Sequence, residues 1–282
     1  MPWYVYALTS ALFFASQELL MRMLAIKSDK PRIFSVVFNM WGALFALTVF
    51  LLQRGSFTPL WQLSPVQILL IFGSVIAYGL YERYQFTARK HLEASTLSII
   101  FRLETGIAFI GSIIFLHEAL LPVKAMGTTL IITASLLLIY KNPHFKLAKP
   151  FFYAVFCAML LGIAMIIDKP ASANIQPALY SFLMWFCPMI IIAFPHVSKQ
   201  QIVKEFRIGG WKVALAAFLN TIGYILYIQA FALADASRVI PVIAINSILV
   251  VLGGIIILKE RDHLWRKIAA GIIAFIGVVL LR

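Results

Sequence analysis

The sequence has few charged residues and few cysteines for its length. Only 12% of its 282 residues are charged and two are cysteine, whereas 62% are hydrophobic and the mean hydropathy is +0.93. Soluble domains carry about 25% charged and about 45–50% apolar residues. The composition therefore excludes a soluble globular protein and a disordered chain. Two cysteines, both within apolar stretches, exclude a disulfide scaffold, and the 15 glycines show no collagen-like period.

Acidic residues are also scarce, since 11 Asp and Glu stand against 24 Lys and Arg and give a net charge of +13. A basic chain can indicate nucleic-acid binding. Here, however, the basic residues fall in short loops between apolar runs, and this pattern orients helices in a bilayer. The predicted partner is therefore the lipid bilayer and not nucleic acid, and the oligomeric state is left open.

What the sequence does have is long apolar runs, each of about 20 residues, the length of a membrane-spanning helix. Their continuity favours helices over the alternating strands of a membrane barrel. We therefore predict an all-α polytopic membrane protein with ten transmembrane helices. The polar stretch 195–210 is predicted to be a solvated loop. The predicted helices are 3–25, 32–52, 66–86, 94–116, 123–140, 150–168, 175–194, 211–231, 238–258 and 265–281.

The chain contains an internal repeat. A shift of 142 places AST at 94–96 over ASR at 236–238, and GSIIFLHE at 111–118 over GGIIILKE at 253–260. Seven of the 25 positions from Ala94 to Glu118 are then identical, and they include the charged pair Glu118 and Glu260. This predicts a first repeat over 1–140 and a second over 150–282. Five helices is an odd number, so the second repeat must enter the membrane in the opposite sense, as an inverted repeat.

Lys and Arg in the connections predict the orientation of the chain. Sixteen of them fall in connections 1–2, 3–4, 5–6, 7–8 and 9–10, against four in the alternate connections. The first set is therefore expected in the cytoplasm and both termini outside.

The two repeated stretches resemble the end of an EamA-type repeat of the drug/metabolite transporter superfamily. In that pattern an Ala-Ser start is followed by an apolar helix, a Gly, a closing Glu and a last helix that opens near a Gly. One departure is that Thr105 and Ser247 stand where the family often has proline. The matching positions are Ala94, Ser95, Gly111, Glu118 and Gly127 in the first half, and Ala236, Ser237, Gly253, Glu260 and Gly271 in the second.

The resemblance implies ten helices, a central cavity shared by the two halves, and alternating access for small metabolites. It also implies location in the bacterial cytoplasmic membrane. Members of the superfamily handle amino acids, nucleotide sugars, triose phosphates, quaternary amines and drugs, so the substrate does not follow from it. Members often have both termini in the cytoplasm, which conflicts with the charge count above.

Ionisable residues inside the predicted helices are the first candidates for a substrate site, because burying a charge in hydrocarbon costs at least about 2.5–3.5 kcal/mol. Glu18 lies four residues before Arg22, so it either faces a cavity or pairs with that arginine. Glu104 lies near the middle of the fourth predicted helix, as does Arg102. Each of these two either contacts substrate or fixes a neighbouring helix. The repeat counterpart of Glu104 is Asn246, which predicts an asymmetric site.

Tyrosines are the second set of candidates, because aromatic faces attract ammonium groups. Tyr78 and Tyr224 lie deep in their predicted helices and are the best of them. Tyr81 and Tyr84 are expected in the interfacial belt, and Trp41 and Trp185 are expected to pack against lipid.

The remaining charged residues in or near the helices are predicted to be structural. Asp168 and Lys169 are expected to form a helix-end ion pair or an interfacial anchor. Glu118 and Glu260 are expected to orient a turn through hydrogen bonds. No cofactor or metal is predicted, because the five histidines are scattered.

The predicted function is secondary transport of a small polar solute, cationic or zwitterionic, by proton coupling or exchange. No nucleotide-binding motif is present. An intramembrane enzyme is disfavoured, because the chain has neither Gly-x-Ser-x-Gly nor His-Glu-x-x-His. A lipid flippase or a scaffold subunit remains the alternative, and both would suit the same inverted repeat.

Overall fold

The computed structural model describes residues 1–25, 28–91, 94–139, 149–195, 197–246, 248–250 and 264–281. Helices make up almost all of these residues. They are α1 (Trp3–Ala25), α2 (Pro31–Leu52), α3 (Thr58–Trp61), α4 (Pro65–His91), α5 (Ala94–Phe115), α6 (Pro122–Ile139), α7 (Lys149–Ala171), α8 (Pro177–Phe186), α9 (Pro188–Ala193), α10 (Lys199–Phe231), α11 (Ala236–Ile243) and α12 (Leu264–Leu281).

Proline marks where many of these helices begin. The first residue of α2, α4, α6, α8 and α9 is a proline. The first helical position suits proline because its missing N–H would have no partner inside the helix and its φ is already helical. Prolines thus divide the long apolar stretches of the sequence into separate helices.

Most predicted helices agree with the observed ones to within a few residues, but the loop predicted at 195–210 is wrong. Helix α10 already begins at Lys199, and the Ser198 hydroxyl caps it by accepting a hydrogen bond from the Gln201 N–H. At Gly210 the backbone turns to φ +54° and separates this polar segment from the apolar remainder of α10. Ser198 is the N-cap residue that predicts such a start.

The outer surface of the protein is apolar. Leu52, Phe72, Phe115, Ile190 and Phe275 are all more than half exposed. Among the described residues, four helices are long and apolar enough to cross a membrane, namely α2, α4, α7 and α10, and shorter apolar helices accompany them. An apolar exterior around buried polar groups is the arrangement of an integral membrane protein. The number of ten spans stays a prediction.

Helices from the two halves of the chain pack against each other. Helix α1 packs on α10 and α4 packs on α7, so each of these helices contacts one from the other half. Helix α2 packs on α8, α5 on α11 and α6 on α12, and these three pairs join helices at corresponding places in the two halves. The centre of the molecule is therefore built by both halves.

Candidate functional site

A buried carboxylate with four hydroxyl groups around it lies where the halves meet. Asp168 of α7 is 0% exposed. Its Oδ2 accepts hydrogen bonds from Tyr78 at 2.6 Å and Tyr224 at 2.9 Å. Its Oδ1 accepts hydrogen bonds from Tyr180 at 2.8 Å and Ser74 at 3.2 Å. We call these five residues the Asp168 cluster.

The Asp168 cluster draws on both halves of the chain. Ser74 and Tyr78 come from one face of α4, whereas Tyr180 comes from α8 and Tyr224 from α10. The Tyr78 and Tyr224 rings meet edge to face with centroids 5.9 Å apart, and the Tyr180 ring is stacked 6.5 Å from Tyr224. The carboxylate is therefore enclosed by aromatic rings that are fixed against each other.

The negative charge of Asp168 has no direct counter-charge in the described part of the chain, where no lysine or arginine nitrogen lies within 4.0 Å of it. Its hydrogen bonds come from neutral hydroxyls. A carboxylate in a membrane interior is costly, and such residues mark binding or proton sites more often than packing positions. The arrangement suits a cation or a proton as the missing partner.

Tyr227 adds a further hydroxyl beside this cluster. Its ring lies 5.7 Å from that of Tyr224, and its side chain is 2% exposed. Its hydroxyl is buried without a hydrogen-bond partner among the described residues. Buried hydroxyls are normally bonded, so this one is available to a bound molecule.

A second group of charged residues lies next to Asp168, around the neighbouring Lys169 of α7. Glu118, in the turn after α5, accepts hydrogen bonds from the backbone N–H groups of Ala236 at 2.7 Å and Ser237 at 2.8 Å. It also binds Lys169 Nζ at 2.9 Å. A carboxylate here stabilises the first turn of α11, where backbone N–H groups lack helical partners. The predicted structural role of Glu118 is confirmed, while Glu260 lies outside the described residues.

Lys124 completes this Glu118 cluster, which consists of Glu118, Lys124, Lys169, Asp235 and Ser237. Lys124 is almost fully buried and binds Asp235 Oδ2 at 2.7 Å and the Ser237 hydroxyl at 3.2 Å. The hydrogen bond from Lys124 holds the pKa of Asp235 below its ordinary value. Burial raises the pKa of Glu118, but hydrogen bonds from Ser237 and Lys169 outweigh burial and lower it. Both carboxylates are thus held in the charged form.

The structure brings together two of the six predicted site residues, since Tyr78 and Tyr224 both donate to Asp168. Glu104 is 9% exposed on α5 and interacts electrostatically with Tyr81 and Tyr227. Asn246 is partly buried just after α11.

The other two predicted site residues are Glu18 and Arg102. Glu18 lies 3.6 Å from Arg89, so the structure gives it a partner on α4. The side chain of Arg22, its expected partner, lies outside the described residues, as does that of Arg102.

Sequence reasoning missed the centre of the site. Asp168 was expected to be a helix-end ion pair or an interfacial anchor, and this is wrong because α7 continues to Ala171 and buries the side chain. Its neighbour Lys169 binds Glu118 instead. Trp185 was expected against lipid, yet it is 6% exposed and lies on Gly42. One signal was available, because deep tyrosines need a buried polar partner.

Comparison with known proteins assigns the chain to a family. The profile of the EamA-like transporter family matches residues 1–140 and again residues 148–282. No curated protein matches the chain. One solved structure, described only as "Crystal structure of protein", is similar with a TM-score of 0.75 and 13% identity over 99% of this chain and 95% of that chain. At that identity the likeness concerns the fold alone.

Proposed function

This chain belongs to the EamA-like transporter family, and we propose that it is a secondary transporter of a small cationic or zwitterionic metabolite, with Asp168 as the binding site for the positive charge. The family consists of membrane transporters, and this agrees with the prediction that the chain is not an enzyme. The substrate class and the mechanism are the parts we propose.

The observation that carries this proposal is the buried carboxylate of Asp168, which has no basic side chain within 4.0 Å among the described residues. An ammonium group placed beside it would meet a full negative charge and the rings of Tyr78, Tyr180 and Tyr224. Aromatic faces add about 0.5–2 kcal/mol of attraction for a cation. An anionic substrate would instead be repelled in a region of low dielectric.

The packing of the halves supports alternating access. A two-fold rotation that exchanges the halves would superimpose the α1–α10 contact on the α7–α4 contact. The same rotation would superimpose each of the contacts α2–α8, α5–α11 and α6–α12 on itself. This is the contact pattern expected of an inverted repeat. We propose that the halves rock about the Asp168 cluster.

The Glu118 cluster would be the gate at one end. It joins the first half, through Glu118 and Lys124, to the second half, through Lys169, Asp235 and Ser237. Lys169 directly follows Asp168 in α7. Substrate binding at Asp168 and opening of the gate at Lys169 would therefore act on the same turn of this helix. By the Lys and Arg count this end faces outside, and both termini do as well.

The remaining predicted residues keep their roles as proposals. We propose Glu18, Glu104, Arg102 and Asn246 as further contacts for the substrate or a coupling proton. The proposed location is the bacterial cytoplasmic membrane.

The direct test is thermal stabilisation of the purified protein by a panel of amino acids, quaternary amines, polyamines, sugar phosphates and nucleosides. A ligand of the folded state raises the melting temperature by mass action. The panel is run on the wild type, on Asp168→Asn, and on Asp29→Asn as a control. Asp29 is an exposed carboxylate that pairs with Lys204 at 2.6 Å, far from the Asp168 cluster in the chain.

We expect cationic or zwitterionic compounds to stabilise the wild type and the Asp29→Asn control, and not Asp168→Asn. Stabilisation by anionic compounds alone would contradict the proposal. Arg102 would then be the residue to test. Equal stabilisation of Asp168→Asn by a cationic compound would also contradict the proposal, and the residue to test would then be Glu104.

A further inference from the structure

A second buried carboxylate lies one helical turn from the Asp168 cluster. Glu82 follows Tyr78 by four residues on α4 and is 8% exposed. Residues four apart lie on the same face of a helix. The Ser35 hydroxyl donates to Glu82 Oε2 at 3.0 Å, and the Asn39 amide nitrogen lies 3.4 Å from the same oxygen. Both partners are on α2.

The two arginines of α4, Arg83 and Arg89, donate hydrogen bonds to groups other than Glu82. Arg83 donates to the backbone carbonyls of Ile191 and Phe194 at the end of α9. Arg89 donates to the Gln85 side chain at 3.1 Å and lies 3.6 Å from Glu18. The hydrogen-bond partners of Glu82 among the described residues are therefore neutral.

Several titratable groups of the described residues lie near Glu82 on the helices around it. Arg89 and Tyr81 of α4 interact with it electrostatically, and so does Cys157 of α7. Glu18 of α1 lies 3.6 Å from Arg89, and Glu104 of α5 interacts electrostatically with Tyr81. On α2 the partners of Glu82 are the neutral side chains of Ser35 and Asn39.

The partners of Glu82 suit both of its protonation states. A serine hydroxyl donates to a carboxylate and accepts from a carboxylic acid. The Asn39 amide nitrogen also donates to the Ser35 carbonyl at 2.9 Å, whereas Asn39 Oδ1 is buried and has no partner among the described residues. A half-turn of the Asn39 amide would bring Oδ1 to the position of Nδ2, 3.4 Å from Glu82 Oε2, where it would accept a hydrogen bond from the protonated carboxyl group.

We infer that Glu82 is a proton-binding site distinct from Asp168, and that its proton couples to the movement of the cation at Asp168. This inference rests on the proposed function. One proton adds to the carboxylate from one side of the membrane and leaves toward the other, and no covalent bond of the substrate changes. Glu82 lies between the Asp168 cluster and the Glu18–Arg89 pair, whose side chains are 22% and 16% exposed.

The test separates binding, exchange and driven uptake in proteoliposomes. Its ligand is the cationic compound that stabilises the wild type most. For each variant three quantities are measured: thermal stabilisation by that compound, counterflow exchange without an ion gradient, and accumulation driven by a pH gradient. The variants are Glu82→Gln, Glu82→Asp, Asp168→Asn and the control Asp29→Asn.

Glu82→Gln is expected to bind and exchange the ligand but to lose accumulation driven by the pH gradient. Glu82→Asp keeps a titratable carboxyl group and is expected to restore driven accumulation with a shifted pH dependence, which also covers the case in which Glu82→Gln does not fold. Driven accumulation by Glu82→Gln at the wild-type level would overturn the inference, and so would loss of ligand binding in a folded Glu82→Gln protein. Unchanged binding by Asp168→Asn would instead refute Asp168 as the cation site, while loss of driven accumulation in Glu82→Gln would still identify Glu82 as the proton-binding site.

Discussion

At the scale of single residues, two tyrosines of one helix make a matched pair. Tyr224 donates to Asp168 at 2.9 Å, whereas the hydroxyl of its neighbour Tyr227 is buried without a partner among the described residues. A hydrogen bond to a charged group contributes about 1.5–3 kcal/mol, and removing an unpaired buried hydroxyl costs little. We predict that Tyr224→Phe lowers the free energy of unfolding by about that amount, while Tyr227→Phe leaves it unchanged or raises it.

Thermal unfolding of both variants in the same detergent, without ligand, checks this prediction. Equal losses of stability in the two variants would show that the Asp168 cluster does not depend on the donated hydrogen bonds.

The sequence identified Tyr78 and Tyr224 because tyrosines deep in apolar helices stand out. It did not identify Asp168, because a charged pair directly before a proline has the appearance of a helix end. Tyr180 was also missed. Its hydroxyl contacts side chains of two other helices, α4 and α7, and the residue spacing within α8 does not show this. Convergence of three helices on one carboxylate is a tertiary property.

At the scale of elements, the turn after α5 holds the start of α11 through Glu118. Replacing Glu118 by Gln removes the charge that binds Lys169 and weakens the acceptance of two backbone N–H groups. We predict faster hydrogen exchange at Ala236 and Ser237 in Glu118→Gln than in the wild type, with no change in Asp29→Asn. The lack of any difference at these amides would contradict the assigned cap.

The same carboxylate gives a pH dependence whose sign follows from its lowered pKa. A carboxyl group with a folded pKa below its ordinary value of 4.5 stabilises the protein fully above that value. The contribution is lost as the pH falls through the folded pKa. We therefore predict that the stability difference between wild type and Glu118→Gln is largest at neutral pH and shrinks as the pH falls below 4.5. Melting curves of both proteins across this range provide the measurement, and a difference that grows on acidification would contradict it.

The close packing of α6 on α12 can be tested by substitutions at two glycines of α12. A Cβ at Gly277 would lie 2.9 Å from the Gly127 carbonyl oxygen and 2.7 Å from Ile131, whereas a Cβ at Gly271 would meet no atom of the described residues within 4 Å. Alanine in a helix is favoured over glycine by about 1 kcal/mol. We predict that Gly271→Ala keeps or raises the melting temperature and that Gly277→Ala lowers it. The reverse order in the two melting temperatures would mean that these helices do not approach as closely.

The bounds of most elements followed from the sequence because apolar runs and prolines define them. The polar start of α10 did not, since its lysines and glutamate match the composition of a loop. Its helix is held by the Ser198 cap, and buried Glu205 accepts hydrogen bonds from the Lys30 N–H at 2.7 Å and from Ser28 at 3.0 Å. That contact spans 175 residues and has no local signature.

At the scale of the whole molecule, the internal repeat and the family followed from the sequence, and the family profile confirms the resemblance over both halves. The orientation remains a prediction from the Lys and Arg count. We predict that a fusion of alkaline phosphatase to the C-terminus is active in a bacterial host and that a green fluorescent protein fusion there is dark. The opposite result would place the termini in the cytoplasm and reverse the side on which the Glu118 cluster lies.

The central contact of the proposed transport is the one between the Asp168 carboxylate and a positive charge on the substrate. The measurement that tests it is a cycle of four affinities, in which wild type and Asp168→Asn each bind the stabilising cation and an uncharged compound of the same shape. We predict that Asp168→Asn loses affinity for the cation while the uncharged compound binds both proteins equally. If the substitution changes both affinities by the same factor, Asp168 has a structural role and the proposed charge recognition is wrong.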